Sequence, residues 1–274
     1  MTGPQRADHF ELSVMTFNLR RRFALNVRRH DAWRVRQHRV RELLRSTMPT
    51  ILATQEVMPD QAQWVAQSLG VNYQRIGRGR QADGAGEGCP IFFNSALLDL
   101  EWWQQTALSD TPNEAGSRSW GNLFPRILVE AHFRHRVSSQ RFRVINTHLD
   151  PFCTRSQVKS AHAVRSLVAA AATPAIVMGD LNAGPESRTV RSLLSRDLLQ
   201  DAWRVARQRT SPEFATYAKY RQPRLGRRID WILTTPHFVV NEVGILASRI
   251  DGGWPSDHLP VQATLTCQST KEPA

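Results

Sequence analysis

The sequence is short of three things: cysteine, lysine and long apolar runs. Its three cysteines, Cys89, Cys153 and Cys267, are odd in number and show no Cys-x-x-Cys spacing, which argues against both a disulfide framework and a cysteine zinc site. They read as reduced packing residues, with Cys153, on an expected loop close to His148, the one with scope for reactivity. His-Glu-x-x-His spacing is missing as well, so His9, His30, His38, His132, His135, His162 and His237 read as surface or packing residues. No run approaches the roughly 18 apolar residues that a membrane span needs. Met1 to Glu11 holds neither an apolar core nor a small-residue cleavage site, so secretion is not indicated and the cytoplasm is the expected location.

Acid is scarce too. Against 24 acidic residues stand 36 basic ones, of which only Lys159, Lys219 and Lys271 are lysine, and the formal charge is +12. The planar guanidinium fork suits phosphate, so a polyanionic partner such as nucleic acid is one reading; arginine-rich codon usage is the other. No Pro/Ser/Gly linker divides the 274 residues, and 41% of them are hydrophobic. That favours one domain, 12–267, between an N-terminal extension (1–11) and a C-terminal tail (268–274), expected as a monomer.

Apolar periodicity switches repeatedly between two and 3.6. Helices are expected over 33–46, with Trp33, Val40, Leu43 and Leu44 inward and Arg34, His38, Arg41 and Arg45 on the opposite face, over 59–69 ahead of Gly70, and over 154–171. Strands are expected at 12–18, 50–55, 73–76, 90–94, 97–104, 126–134, 141–146, 175–178, 229–234, 239–246 and 261–266. Helix-linked and hairpin-linked strands in one chain suggest two mixed sheets packed face to face with helices outside. The glycine-rich stretch 77–88 is followed by no helix, so it reads as a mobile loop and not as a dinucleotide motif. A second long loop, 109–125, carries Arg118 and Trp120 and is a candidate border of a substrate cleft.

Several expected strand ends carry polar residues of one chemical kind. Asn18 and Glu56 each close an apolar run, and a carboxylate with an amide oxygen suits Mg²⁺ or Mn²⁺; the plain readings are a turn or cap for Asn18 and an arginine partner for Glu56. Asp180 and Asn182, in Gly179-Asp180-Leu181-Asn182, follow a buried strand and can face one side. His148 ends Thr147-His148, Asp230 lies in Arg228-Ile229-Asp230-Trp231, and Asp257-His258 sits between Pro255 and Pro260, which favour an irregular loop from which both neighbours can face one site. An imidazole near its pKa can act as acid, base or phosphate ligand, and a carboxylate such as Asp230 would fix its tautomer.

In this order the motifs closely resemble the endonuclease/exonuclease/phosphatase superfamily, the group with the fold of deoxyribonuclease I, over about Leu12 to Leu265. The resemblance implies a four-layer α/β sandwich with the active site where the loops of both sheets meet. It implies Glu56 as principal metal ligand with Asn18 and Asp257, Asp180 positioning or deprotonating the attacking water, Asn182 and His148 on water or phosphate oxygens, and Asp230 paired with His258. It departs at Arg20, where many nucleases of the group place an acid. An arginine cannot bind a cation, so Arg20 becomes a candidate phosphate contact, with Glu87, Arg118 and Arg126 as further candidates around the cleft.

The expected function is a divalent-metal-dependent phosphohydrolase that cleaves phosphate esters by in-line attack of water, with nucleic acid or a nucleotide favoured by the charge. A phosphatase or phosphodiesterase on a small or lipid phosphate, such as an inositol phosphate or sphingomyelin, is the alternative enzyme; no long amphipathic segment is present to dock a bilayer. A non-catalytic polyanion-binding module is the rival from another class.

Overall fold

The computed structural model describes residues 10–23 and 31–268. His9, His30, most of the expected extension and the tail beyond Gln268 lie outside the described residues. Two mixed sheets make up the centre. The first holds β1 (Phe10–Asn18), β2 (Ile51–Gln55), β3 (Tyr73–Ile76), β4 (Ile91–Asn94), β10 (Gln208–Arg209), β12 (Phe238–Ile245) and β13 (Val261–Cys267), in the order β10-β12-β13-β1-β2-β4-β3. The second holds β5 (Leu98–Ala107), β6 (Ile127–His135), β7 (Arg141–His148), β8 (Ala175–Asp180), β9 (Gln200–Asp201) and β11 (Asp230–Thr234), in the order β5-β6-β7-β8-β11-β9.

Parallel neighbours need a crossover, and helices supply it: α1 (Trp33–Thr47) joins β1 to β2, and α3 (Thr154–Ala169) joins β7 to β8. The helix α2 (Pro59–Leu69) and the short α4 (Arg188–Leu193) and α5 (Ala202–Val205) complete the outer layers.

Strand alternation sorts the side chains into three cores. On β1, Leu12 and Val14 face the space between the sheets, while Met15 and Phe17 face α1 and α2 beside Val40, Leu44 and Val65. On β8, Ile176 and Met178 point between the sheets and Ala175 and Val177 point to α3 beside Val164. Nearly every residue of β1 and β8 is therefore buried, which is why both read as continuous apolar runs.

The observed elements correct the expected ones in several places. α3 stops at Ala169, β5 extends to Ala107, and β9, β10, α4 and α5 arise in a stretch with no clear period. On α1, Trp33 is only half buried, whereas Arg36 and Arg39 are buried. Arg36 is buried because its guanidinium donates to the carbonyls of Asp31, Leu19, Pro255 and Arg20 at 2.8–3.0 Å, tying α1 to the two loops on either side of it. The glycine-rich stretch is no loose loop. Gly79 N–H bonds Gly84 O (2.9 Å), Arg80 N–H bonds Glu87 O (2.9 Å), and Gly88 N–H bonds Val57 O (2.8 Å).

Candidate active site

The register of the second sheet assembles the centre of the site. Asp180, the last residue of β8, lies opposite His148 on parallel β7 and opposite Asp230 on antiparallel β11. The three occupy the same level at the same sheet edge. Asp180 and Asp230 share parity with Met178 and Ile232, so both carboxylates face between the sheets, where Asn18 at the end of β1 arrives from the other side. Gly179 permits the close approach of β7 and β8 just before Asp180: at its φ of +150° a Cβ would stand 2.0 Å from the Thr147 carbonyl oxygen.

Three non-glycine residues at the site sit in the left-handed region, Arg20 (φ 52°), Glu56 (φ 58°) and Asn182 (φ 49°). Each follows a strand end, and all three line the cleft. Such residues cost roughly 1–3 kcal/mol apiece, so their neighbours must hold them there. They do. Arg20 donates its N–H to Asn18 Oδ1 (2.9 Å) and receives Arg36 and Gln61 on its carbonyl; Asn182 N–H bonds Asp180 Oδ1 (2.9 Å).

Asn18 Nδ2 donates to both Glu56 Oε1 (3.0 Å) and Asp180 Oδ2 (2.9 Å). In this arrangement the amide joins two carboxylates, and its own oxygen is taken by the Arg20 backbone. Asp230 Oδ2 lies 2.9 Å from His258 Nδ1, and His258 Nε2 lies 3.8 Å from Asp180 Oδ2. Asn182 Nδ2, which can only donate, lies 2.9 Å from His148 Nε2, so that ring nitrogen accepts. Asp257 and His258 both line the cleft from an irregular loop, with the Asp257 carbonyl accepting from Ala218 and Lys219 and its carboxylate paired with Arg20.

Charge follows from this packing. Burial pushes the Asp180 carboxyl up, the nearby Asp230 charge pushes it further, and it reaches about 7 despite the opposing His258 and Asn18. Burial works against the His258 imidazolium, but the Asp230 and Asp180 carboxylates outweigh it and raise the group to about 10. His148 goes the other way: burial, and then Arg126 and the charged His258, hold it well below the ordinary histidine value, so it is neutral. The site thus contains one fixed imidazolium and one neutral imidazole.

These residues floor a cleft of about 460 Å³ whose walls include Arg20, Arg80, Arg126, Arg227, Phe124 and Tyr217. Glu87 lines it while bridging Arg80 (3.0 Å) and Arg21 (2.9 Å). Arg126 pairs with Asp150 at 3.4 Å. Arg118, by contrast, is exposed and donates to Leu123 O (2.8 Å), outside the residues that line the cleft. Sequence reasoning passed over Arg80, Arg227, Tyr217, Asp150 and the rim residues Phe124 and Phe152. Only Asp150 carried a signal, two residues after His148; the others come from loops without periodicity.

A four-layer sandwich with histidines and carboxylates converging from both sheets at one edge defines the DNase I-like phosphoesterase class. The profile of the Endonuclease/Exonuclease/phosphatase family matches residues 15–258, and the chain belongs to that family. Among solved structures it is similar to a family protein from Bacteroides thetaiotaomicron (26% identity, TM-score 0.89, 94% of this chain and 98% of that one). It is also similar to a mannosyl-6-phosphatase of the same organism (27%, TM-score 0.85, 93% and 99%). TDP2 from D. rerio, solved with a single-strand DNA product, shares the fold at 17% identity (TM-score 0.72, 93% and 98%). No curated protein sequence matches.

Enzymes of this family are generally divalent-metal dependent. The donors present fit a hard cation. Glu56 and Asp257 bring carboxylate oxygens to the cleft, and among the described residues Glu56 Oε2 receives only the Arg21 N–H at 3.4 Å. Deeper, Asp180, Asp230 and His258 each place a ligand atom within 4.8 Å of the others, the one such group among the described residues. Within that group the His258–Asp230 hydrogen bond already balances charge, as Arg20 does for Asp257, so the outer oxygens of Glu56 are the better place for an ion, with Asp257 as the second donor.

Proposed function

We propose that the protein is a divalent-metal-dependent phosphohydrolase that cleaves phosphate esters of nucleic acid or nucleotides by in-line attack of water. The observation that carries this reading is the alignment of His148, Asp180 and Asp230 across three strands beneath an arginine-lined cleft, with His258 fixed on Asp230. Asp180, held near neutrality by burial, suits a base that takes a proton from water. Asn182 orients that water or a phosphoryl oxygen. The His258 imidazolium, with Arg20, Arg80 and Arg126, faces the charge that develops on the transferring phosphoryl group. Glu56 and Asp257 would hold Mg²⁺ or Mn²⁺, which supplies neutralisation of phosphate oxygens and of the leaving oxyanion.

A second reading is a sugar monophosphatase, favoured by the likeness to a mannosyl-6-phosphatase at 27% identity. The test is a screen of purified protein over nucleotides, single-stranded DNA and RNA, mannose 6-phosphate and inositol phosphates. Each substrate is run with Mg²⁺, with Mn²⁺, and with EDTA. Hydrolysis of nucleotide or nucleic-acid esters that vanishes in EDTA and returns with Mg²⁺ or Mn²⁺ is expected. Full activity in chelator would overturn the metal, and turnover confined to the sugar phosphate would select the second reading.

A further inference from the structure

The loop after β8 has two sides. Its first residues, Asp180 and Asn182, line the catalytic cleft; its next, Gly184 to Ser187, line a neighbouring groove of about 1000 Å³, more than twice the cleft's volume. Across from them the segment leading into β11 does the same, and Arg227 lines both cavities. The two spaces are therefore successive parts of one trench, with Arg227 at the saddle.

Arg227 is exposed, and among the described residues its guanidinium has neither an ion-pair nor a hydrogen-bond partner. Its stem is nonetheless seated. A Cβ on Gly184 would stand 1.9 Å from Arg227 Cδ and 2.3 Å from Cγ, so the missing side chain at 184 is what lets the arginine lie across the loop. Further along, Arg209 is held by the carbonyls of Trp203 (2.8 Å) and Arg204 (3.2 Å) and has no acidic partner among the described residues. The acids of this groove are already engaged: Glu213 with buried Arg228 at 2.7 Å, and Glu186 with Arg204 at 3.7 Å. What is left without an acidic partner is positive: Arg227, which the groove shares with the cleft, and Arg209, which lines the groove alone.

We infer that this groove is a binding site for a further phosphate of the substrate, covalently joined to the scissile one, and that its occupant is the neighbouring stretch of a single nucleic-acid strand. Guanidinium groups that lack an acidic partner in an open groove suit phosphate, and a monophosphate substrate would leave the groove unused. The inference rests on the phosphohydrolase reading and goes beyond it in naming where, and by which residues, the rest of a long substrate is held. A small sugar bisphosphate offers the same second phosphate, and the experiment separates the two.

The test measures initial kcat/KM with Mg²⁺ on single-stranded DNA from mononucleotide to octanucleotide, and on a sugar bisphosphate. Wild type is compared with Arg227→Ala, Arg209→Ala, Gly184→Ala and a control, Arg141→Ala, whose arginine bonds Glu101 on the far edge of the second sheet. In parallel, octanucleotide binding to an Asp180→Asn background is followed against salt, which reports the groove without catalysis. Expected is a rise in kcat/KM of about tenfold or more with length, lost in both arginine variants and reduced by Gly184→Ala, which unseats Arg227 without removing charge. Arg141→Ala keeps it. Each arginine removed should lower the slope of log affinity against log salt by roughly 0.7, the increment per contact for a single strand. Equal kcat/KM for short and long strands, with EDTA-sensitive hydrolysis intact, overturns the groove and leaves the phosphohydrolase standing. A gain with the bisphosphate but not with strands overturns the strand. If no phosphate ester is hydrolysed, the phosphohydrolase reading fails, and the binding arm still decides the groove: a salt slope indifferent to both arginines overturns it.

Discussion

Replacing Asp230 by Asn tests the electrostatic logic of the site with little change of shape. The Asp230 carboxylate accepts from His258 Nδ1 at 2.9 Å, and Asn can accept that hydrogen bond through its carbonyl. What disappears is the largest influence holding His258 up to about 10. Burial, which lowers the group and is the strongest single effect on it, then regains ground. A return merely to the ordinary histidine value of about 6.5 would cut the imidazolium fraction at about pH 8 by roughly 30-fold. The same charge also raises Asp180, so its removal moves the base downward from about 7. Both limbs of the pH profile should therefore shift to acid: kcat/KM falls by about an order of magnitude or more near pH 8, and much of it returns near pH 6. One cost is predictable. Asp230 Oδ1 is buried without a hydrogen-bond partner, so an amide N–H placed there goes unpaired at about 1–3 kcal/mol, partly offset by relief from the neighbouring Asp180 charge. Two measurements decide the matter: His258 ring shifts by NMR against pH in metal-free wild type and variant, and kcat/KM against pH with metal. A His258 titration that stays near 10, or an alkaline limb that does not move, would refute the reasoning.

Asp180→Asn should lower kcat by at least about three orders of magnitude while leaving the melting temperature unchanged or higher, since a buried charge beside Asp230 is removed; near-normal turnover on the true substrate rejects the mechanism. The double variant Asp230→Asn/His258→Ala should be little worse than His258→Ala alone, because the two act as one unit, and multiplicative losses in kcat reject the pair. Arg36→Met should destabilise the protein by about 3 kcal/mol or more in urea, because the carbonyls of Leu19, Arg20 and Pro255 lose their guanidinium donors together; a midpoint close to wild type would mean that water replaces them at little cost. Ca²⁺ in place of Mg²⁺ should support lower kcat, being larger and preferring more ligands, and equal rates with both ions would speak against an ion held by Glu56 and Asp257.

What the sequence determined was the set of strands and the chemistry at their ends. The alternation of Leu12, Val14, Met15 and Phe17 places two cores on opposite faces of β1, and Asn18 inherits the inward parity of Leu12. Parity on β8 likewise sends Asp180 inward with Ile176 and Met178. Helical crossovers and hairpins in alternation were enough to expect two mixed sheets with helices outside, and the motif order pointed to the family. These properties are local: a period and a terminus are written within a few neighbouring residues.

The rest depended on residues far apart in the chain. The level at which His148, Asp180 and Asp230 meet is set by registers of β7, β8 and β11, and no segment encodes a register by itself. The protonation of the two histidines could not be read from composition, because it reflects the balance of burial against particular neighbours: Asp230 and Asp180 around His258, Arg126 beside His148. Arg36 read as one arginine among many on a helix, and became a buried tie only where the loops at Leu19 and Pro255 brought carbonyls to it. Arg80, Arg209 and Arg227 stand in stretches with no period at all. Tertiary structure alone decided which arginines were spent on acids and carbonyls and which remained free to meet a phosphate, because a charge is neutralised by what lies near it in space.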